Sequence, residues 1–361
     1  MGSTNESPVI RLQRLSFVIY EHPDLDQFKR FAQDFGFEEA SSNADETLFA
    51  GYGRDPFVYV TRAAPAGAGK RFVGAGFAAE SENDFEKACA LAGAEKIDTA
   101  GRHGGGLAVR ITDPNGFEVQ VCWGQREQPL PPRGISAEAG RKGRPVINGT
   151  LDKARKGEHS TSSPPRTSTF LKRCSRWNAG EFTRLTPGPA KVHKLGHYGY
   201  NTDRYEKTCE WYSQTFNLIP TDVLWAPGHE DVDVATFFRL DLGEEYVDHH
   251  CFLVARAEAV DKPAETTVHH SSFEVEDLDT QMMGHQWLLD AGYELVWGIG
   301  RHIHGSQVFD YWHDPSHFII EHYADGDVVN NRYKTLKAEA GNMAVWGPPV
   351  PVIWGGEKLT A

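Results

Sequence analysis

One hydrophobic pattern occurs twice along the chain. "QRLSFVIYEHPDLDQFKRFAQDFGF" near the start and "HKLGHYGYNTDRYEKTCEWYSQTFNL" after residue 190 each read as a short alternating strand followed by an amphipathic helix ending near Gly or Asn. A period of two marks a half-buried strand, and recurrence at three and four residues marks a helix face. A second pair follows: "RFVGAGFAAESENDFEKACALAGA" parallels "TVHHSSFEVEDLDTQMMGHQWLLDAGY" as strand, acidic helix start, helix and Gly. Acidic openings such as "EDLD" at 276–279 suit the positive end of a helix dipole. In a third pair, "DTAGRHGGGLAVRITDPNGFEVQV" and "LVWGIGRHIHGSQVFDYWHDPSHFIIEHY" share Gly-Arg-His, a strand, Asp-Pro and a closing strand. The pattern predicts an α+β fold of two domains, each of paired βαβββ modules whose curled mixed sheets enclose a cavity.

The expected boundaries are an N-terminal domain at 1–125, a linker or insertion at 126–190, a second domain at 191–325 and a tail at 326–361. The linker region is rich in Pro, Gly, Ser and basic residues and lacks periodicity. The tail carries Trp and Pro that would suit covering the cavity or wrapping a neighbour in a homo-oligomer. Trp211 and Trp287 fall at helical positions and are expected in the core. Leu224, Trp225 and the segment after Tyr323 are expected to line the cavity.

Charge and cysteine content narrow the function classes. A formal net charge of −13 argues against nucleic acid or an anionic membrane as partner, because both are bound through clustered Lys and Arg. No apolar run is long enough to span a bilayer, and "MGSTNESPVIRLQ" has no secretory apolar core. The five cysteines are widely spaced, odd in number and free of any CxxC pair, as expected of free thiols in a reducing, cytoplasmic setting.

Histidine is distributed unevenly. Of 16, only His22, His103 and His159 precede residue 190, so the chemistry is expected in the second half. The repeat supplies an internal comparison: His197 stands opposite Phe17, His270 opposite Gly74, and Glu321 opposite Gln120. The three positions change together toward metal-ligand types in one copy alone. Two neutral imidazoles and a carboxylate from separate strands form a facial triad, an arrangement that holds Fe(II) on one side and leaves the other open. Zinc would bind too but has no redox chemistry; Mn(II) is the alternative to iron. Period two places His270, Ser272 and Glu274 on one face of "VHHSSFEV" and His269, Ser271, Phe273 and Val275 on the other. The glycines flanking His197 are expected to leave room for a ligand. A five-residue loop, Asp314 to Phe318, is required to set Tyr311 opposite Glu321. His229, His285, His317 and His322 read as ordinary polar residues, and His193 as solvated.

With these residues in place, the chain resembles the type I extradiol ring-cleaving dioxygenases of the vicinal oxygen chelate superfamily, including catechol 2,3-dioxygenases. The resemblance rests on His197 in "LGHYGYN", His270 in "HHSSF" and His302 in "GRH". It continues with Tyr311 nine residues on, Asp314-Pro315 three further, and Glu321 seven beyond that Asp. His317 departs from the pattern, since it replaces the turn's typical Gly. The resemblance implies Fe(II) held by His197, His270 and Glu321, with a small aromatic diol and O2 as substrates. It implies catalytic, substrate-contacting roles for His302, Tyr311 and a histidine of "YVDHHCFLVA", His250 with His249 as fallback. A glyoxalase-like lyase or isomerase, using a carboxylate base on an enediolate, is the competing chemistry. A protein that sequesters an aromatic ligand is the competing class.

Overall fold

The computed structural model describes residues 9–129, 187–257 and 263–354. The expected linker, at 126–190, lies mostly outside them. The first half forms an eight-stranded sheet from two modules. The first module runs β1 (Leu12–His22), α1 (Leu25–Phe35), β2 (Glu38–Ser42), β3 (Thr47–Ala50) and β4 (Tyr59–Ala63). The second runs β5 (Arg71–Ala79), α2 (Glu82–Cys89), β6 (Glu95–Ile97), β7 (Leu107–Thr112) and β8 (Glu118–Trp123).

The second half repeats the plan with additions. Its first module is β9 (Val192–Thr202), α3 (Tyr205–Thr215), β10 (Leu218–Ala226), β11 (His229–Leu240), the short β12 (Val247–Asp248) and β13 (Phe252–Arg256). Its second is β14 (Thr267–Val275), α4 (Leu278–Asp290), β15 (Leu295–His302), β16 (Val308–His313) and β17 (Ile319–Ala324). Then come β18 (Val328–Val329), β19 (Leu336–Glu339) and β20 (Ala344–Trp346). The main sheet has ten strands in the order β19-β10-β11-β13-β9-β14-β17-β16-β15-β20. Both sheets mix parallel and antiparallel ladders, the α+β architecture that the repeat predicts.

Three of the four helices described above, α1, α2 and α4, begin where a side chain satisfies a free amide, whereas α3 has no side-chain cap. Asp24 accepts from the amide of Gln27, Ser81 from that of Asp84, and Asp277 from that of Thr280. Such caps each contribute about 1 kcal/mol. Of the acidic stretch at 276–279, Asp277 is the cap and Asp279 lies in the first turn, where it suits the helix dipole.

One face of the second sheet packs on the first half. Phe273 meets Phe37 edge-on with ring centroids 4.8 Å apart, His322 donates through Nε2 to the carbonyl of Phe35 at 2.7 Å, and the hydroxyls of Tyr20 and Ser271 lie 2.6 Å apart. Truncating such a fully buried phenylalanine costs about 3–5 kcal/mol. Trp287 does not enter the core: it is 36% exposed, and its indole N–H donates to Asp34 of the first half at 2.9 Å. Trp211 packs partly buried against the core. His193 is not solvated, because its ring stacks on Tyr52 and hydrogen-bonds Glu274 at 2.9 Å.

The β16–β17 hairpin explains why a glycine suits its turn. His317 has φ +59°, in the left-handed region that costs an L side chain about 1–2 kcal/mol. Its side chain is largely exposed. Replacing it, His317→Gly, should therefore stabilise the protein by about 1 kcal/mol, read as a rise in the denaturant midpoint with an unchanged slope.

Candidate metal centre and cavity

Three adjacent strands hold the centre. In the ladders, His197 of β9 is the register partner of Ser272 of β14, and Ser272 is the partner of Glu321 of β17. The first half shows the same alignment with Phe17, Gly76 and Gln120. The sheet registers thus pair Phe17 with His197 and Gln120 with Glu321, as the sequence comparison does. In the first half the equivalent space is filled. Phe17 and Phe57 pack with ring centroids 4.8 Å apart, and the Arg102 guanidinium lies over both rings.

His197, His270 and Glu321 converge. Nε2 of His197 and Nε2 of His270 are 2.9 Å apart, and Oε2 of Glu321 lies 3.4 Å and 3.5 Å from them. A circle through three atoms at these spacings has a radius of about 1.9 Å, close to the ~2.0–2.2 Å of a metal–nitrogen or metal–oxygen bond. One ion could therefore be held by all three atoms. The carboxylate of Glu321 is wholly buried, and neither oxygen accepts a well-formed hydrogen bond among the described residues. A buried charge so placed calls for a cation. Burial alone would raise its pKa, but His197 and His270 outweigh that and hold it well below the carboxylate range. Burial lowers the pKa of His197, so its imidazole stays neutral, the form a metal binds. The donor set and spacing fit a divalent ion.

The β9–β14 ladder has three irregularities, and one of them redirects a cavity side chain. A bulge in β14, between Val268 and His270, gives His269 and His270 a shared side. Both line the cavity, contrary to the period-two assignment of His269. Their Nδ1 atoms lie 2.6 Å apart, so His269 can fix the ring of its neighbour. The glycines beside His197 make room for packing, not for a ligand. A Cβ at Gly196 would strike Tyr323, and one at Gly199 would strike Leu253.

The cavity encloses about 450 Å³, within the range of small-molecule sites. The required five-residue loop is present, and Tyr311 pairs with Glu321. Its hydroxyl donates to Nε2 of His302 at 2.8 Å, while Nδ1 of His302 donates to the carbonyl of Met343 at 3.1 Å. Burial pushes His302 down to about 4, and burial with the charge of Glu321 pushes Tyr311 well above 10. His250 lines the cavity in ring contact with His197, centroids 4.2 Å apart. His249 stands behind it, away from the cavity. Leu224 and Trp225 do not line the cavity. Its apolar wall comes from Phe237, Leu253, Trp297, Met343, Ile353 and Trp354. The tail thus covers the cavity, and Trp354 stacks on His269 at 5.0 Å and meets Tyr311 edge-on at 4.9 Å. No sequence signal joins Trp354 to a strand more than 80 residues earlier. By contrast, a lone Asp222 within "LIPTDVLWA" could have flagged a buried carboxylate.

Residues 194–322 match the model of the Glyoxalase/Bleomycin resistance protein/Dioxygenase superfamily. They form a domain of that superfamily. Over 279 residues the chain is 25% identical to metapyrocatechase 2 of Cupriavidus necator, covering 75% of this chain and 70% of the relative. Among solved structures, homoprotocatechuate 2,3-dioxygenase from Arthrobacter globiformis superposes with a TM-score of 0.69 at 14% identity, over 97% of this chain and 92% of that one. The Mn(II)-bound glyoxalase from Novosphingobium aromaticivorans superposes with a TM-score of 0.66 at 18% identity, over 93% and 91%. The two-domain fold is thus shared by proteins of both names, and the superfamily domain's own side chains must separate the chemistries.

The metal reading is tested by titration. The protein should bind one divalent ion per chain. His270→Ala and Glu321→Ala should each weaken binding by more than the ~10–100-fold typical of losing an outer partner, measured calorimetrically with Mn(II) or Zn(II).

Proposed function

We propose that this protein is an Fe(II)-dependent extradiol dioxygenase. It inserts both atoms of O2 into a catechol-type aromatic and cleaves the ring bond next to the diol. The supporting observation is that His250, His302 and Tyr311 share one cavity with the His197–His270–Glu321 cluster. When bound there, Fe(II) would supply a Lewis-acidic seat for the diol oxygens and a redox-active path by which the ring's electrons reach dioxygen.

The protein's own groups handle protons and position. Tyr311 gives its proton to the hydrogen bond with His302, so its oxygen lone pairs are free to accept from a diol hydroxyl. The carbonyl of Met343 fixes His302 with Nε2 bare, ready to take up a proton passed through Tyr311. His250 is neutral at working pH, because burial together with the neighbouring histidines lowers its pKa well below 6.5; it is a second acid–base group beside the cluster. The apolar wall under Trp354 excludes water and accepts an aromatic ring.

Glyoxalase-type chemistry is the second reading, favoured by the likeness to the Mn(II)-bound glyoxalase fold. A carboxylate base on an enediolate would not require His250, His302 and Tyr311 together, and that weighs for ring cleavage. The four free thiols among the described residues, Cys89, Cys122, Cys209 and Cys251, are in keeping with a cytoplasmic enzyme.

Anaerobic reconstitution with Fe(II), followed by catechols and air, should give a yellow ring-cleavage product with one O2 consumed per diol. No product from a panel of substituted catechols, with turnover of a hemithioacetal instead, would reverse the order of the two readings. Tyr311→Phe and His302→Phe should each retain iron and lose about 10²–10⁴-fold in kcat, the usual range for an acid–base group. Iron loss in either variant, measured by metal analysis, would contradict these roles.

A further inference from the structure

The side of His250 away from the cavity is engaged. Its Nδ1 lies 3.1 Å from Nδ1 of His249, and Nε2 of His249 lies 3.3 Å from Oδ2 of Asp222. Asp222 sits on β10 and is 2% exposed. The same Oδ2 accepts from Nδ1 of His304 at 2.6 Å, and Oδ1 accepts from the Tyr333 hydroxyl at 3.2 Å. Burial would raise the carboxyl's pKa, but the bonds to His249 and His304 outweigh it and hold it well below the usual range. Asp222 is therefore ionised, and it only accepts.

Counting protons along the chain fixes their positions. The nitrogen of His249 that faces the carboxylate must carry its N–H. A neutral His249 then has a bare Nδ1, which can only accept. His250 must donate to it from its own Nδ1, which leaves Nε2 as the nitrogen it offers the cavity. We propose that Asp222, acting through His249, sets His250 as the Nδ1–H tautomer and presents a bare, proton-accepting Nε2 to the substrate.

The arrangement also gives the accepted proton a route. When an O–H of a bound diol passes its proton to Nε2 of His250, the Nδ1 proton can move to Nδ1 of His249. One O–H and one N–H bond break, and two N–H bonds form. His250 stays neutral with its tautomer reversed, and the positive charge rests on His249 beside the Asp222 carboxylate. Without that carboxylate, the charge would be buried and unpaired, which is strongly unfavourable. Asp222 and His249 are positioning residues, and their catalytic use, unlike the tautomer, rests on the dioxygenase reading.

The tautomer can be read without turnover. Long-range 1H–15N spectra of 15N-histidine protein loaded with Zn(II) report which ring nitrogen is protonated, and His250→Asn assigns the resonance. The wild type should show His250 as Nδ1–H. In Asp222→Asn, where an amide N–H can face His249, and in His249→Phe, which removes the acceptor, His250 should move toward Nε2–H. A wild-type His250 already in the Nε2–H form overturns the proposal, as does a tautomer unmoved by both variants. With Fe(II), Asp222→Asn should lower kcat on catechol by about 10–100-fold at unchanged metal content and a KM within threefold. The loss should shrink to threefold or less on a nitrocatechol, whose hydroxyl is already acidic. Equal losses on both diols would make Asp222 merely structural and overturn the route. The predicted tautomers in a wild type that cleaves no catechol would uphold the positioning and remove the dioxygenase reading.

Discussion

The site depends on one fixed ladder. β9, β14 and β17 are hydrogen-bonded neighbours, and their register puts His197, Ser272 and Glu321 in one row across the sheet. A slip of one residue in either ladder would turn a ligand to the opposite face. That face is packed against the first half through Phe273, Ile320 and His322, so a slip would also bury ligands in the core. The contact between halves and the spacing of the ligand atoms are therefore one constraint. Among the described residues the first half contributes nothing to the His197–His270–Glu321 cluster, yet it holds the strands that do.

The centre concentrates polar groups where water is absent, and each is stabilised by a neighbour of complementary chemistry. Glu321 faces two imidazoles, His302 is held by a backbone carbonyl, and the pair of histidines behind the cavity leans on Asp222. Proton placement is therefore set by the fold. Tyr311 and His302 form one hydrogen-bonded pair and His249 and His250 another, both beside the same cluster. The aromatic wall from the tail lowers the local dielectric and strengthens these contacts.

Much of this was legible in the sequence because the chain carries its own control. Phe17, Gly74 and Gln120 in the first half show what the scaffold needs without a centre, so His197, His270 and Glu321 stand out. The Tyr311–Glu321 pairing was legible because the loop length sets hairpin register. His269 was misplaced because a bulge has no reliable sequence mark, and one extra residue reverses every side-chain direction beyond it. The tail's Trp and Pro suggested a cover for the cavity, which it is, but the particular residues Trp354 and Met343 were not legible, since contacts across the sheet's mouth leave no periodic trace. Trp287 fell on an apolar-looking helix position but serves as a polar bridge to Asp34, a choice made by the neighbouring half rather than by its own helix.

The outermost strands of the ten-stranded sheet, β19 beside β10 and β20 beside β15, both come from the segment after residue 335. The rims of the sheet are thus closed by the same short length of polypeptide. Until a growing chain has been made past residue 339 for the β10 rim and past 346 for the β15 rim, these edges present unpaired amides and carbonyls, the groups through which strands of different molecules join. A segment made after the strands it flanks therefore protects the nascent protein from self-association at two places.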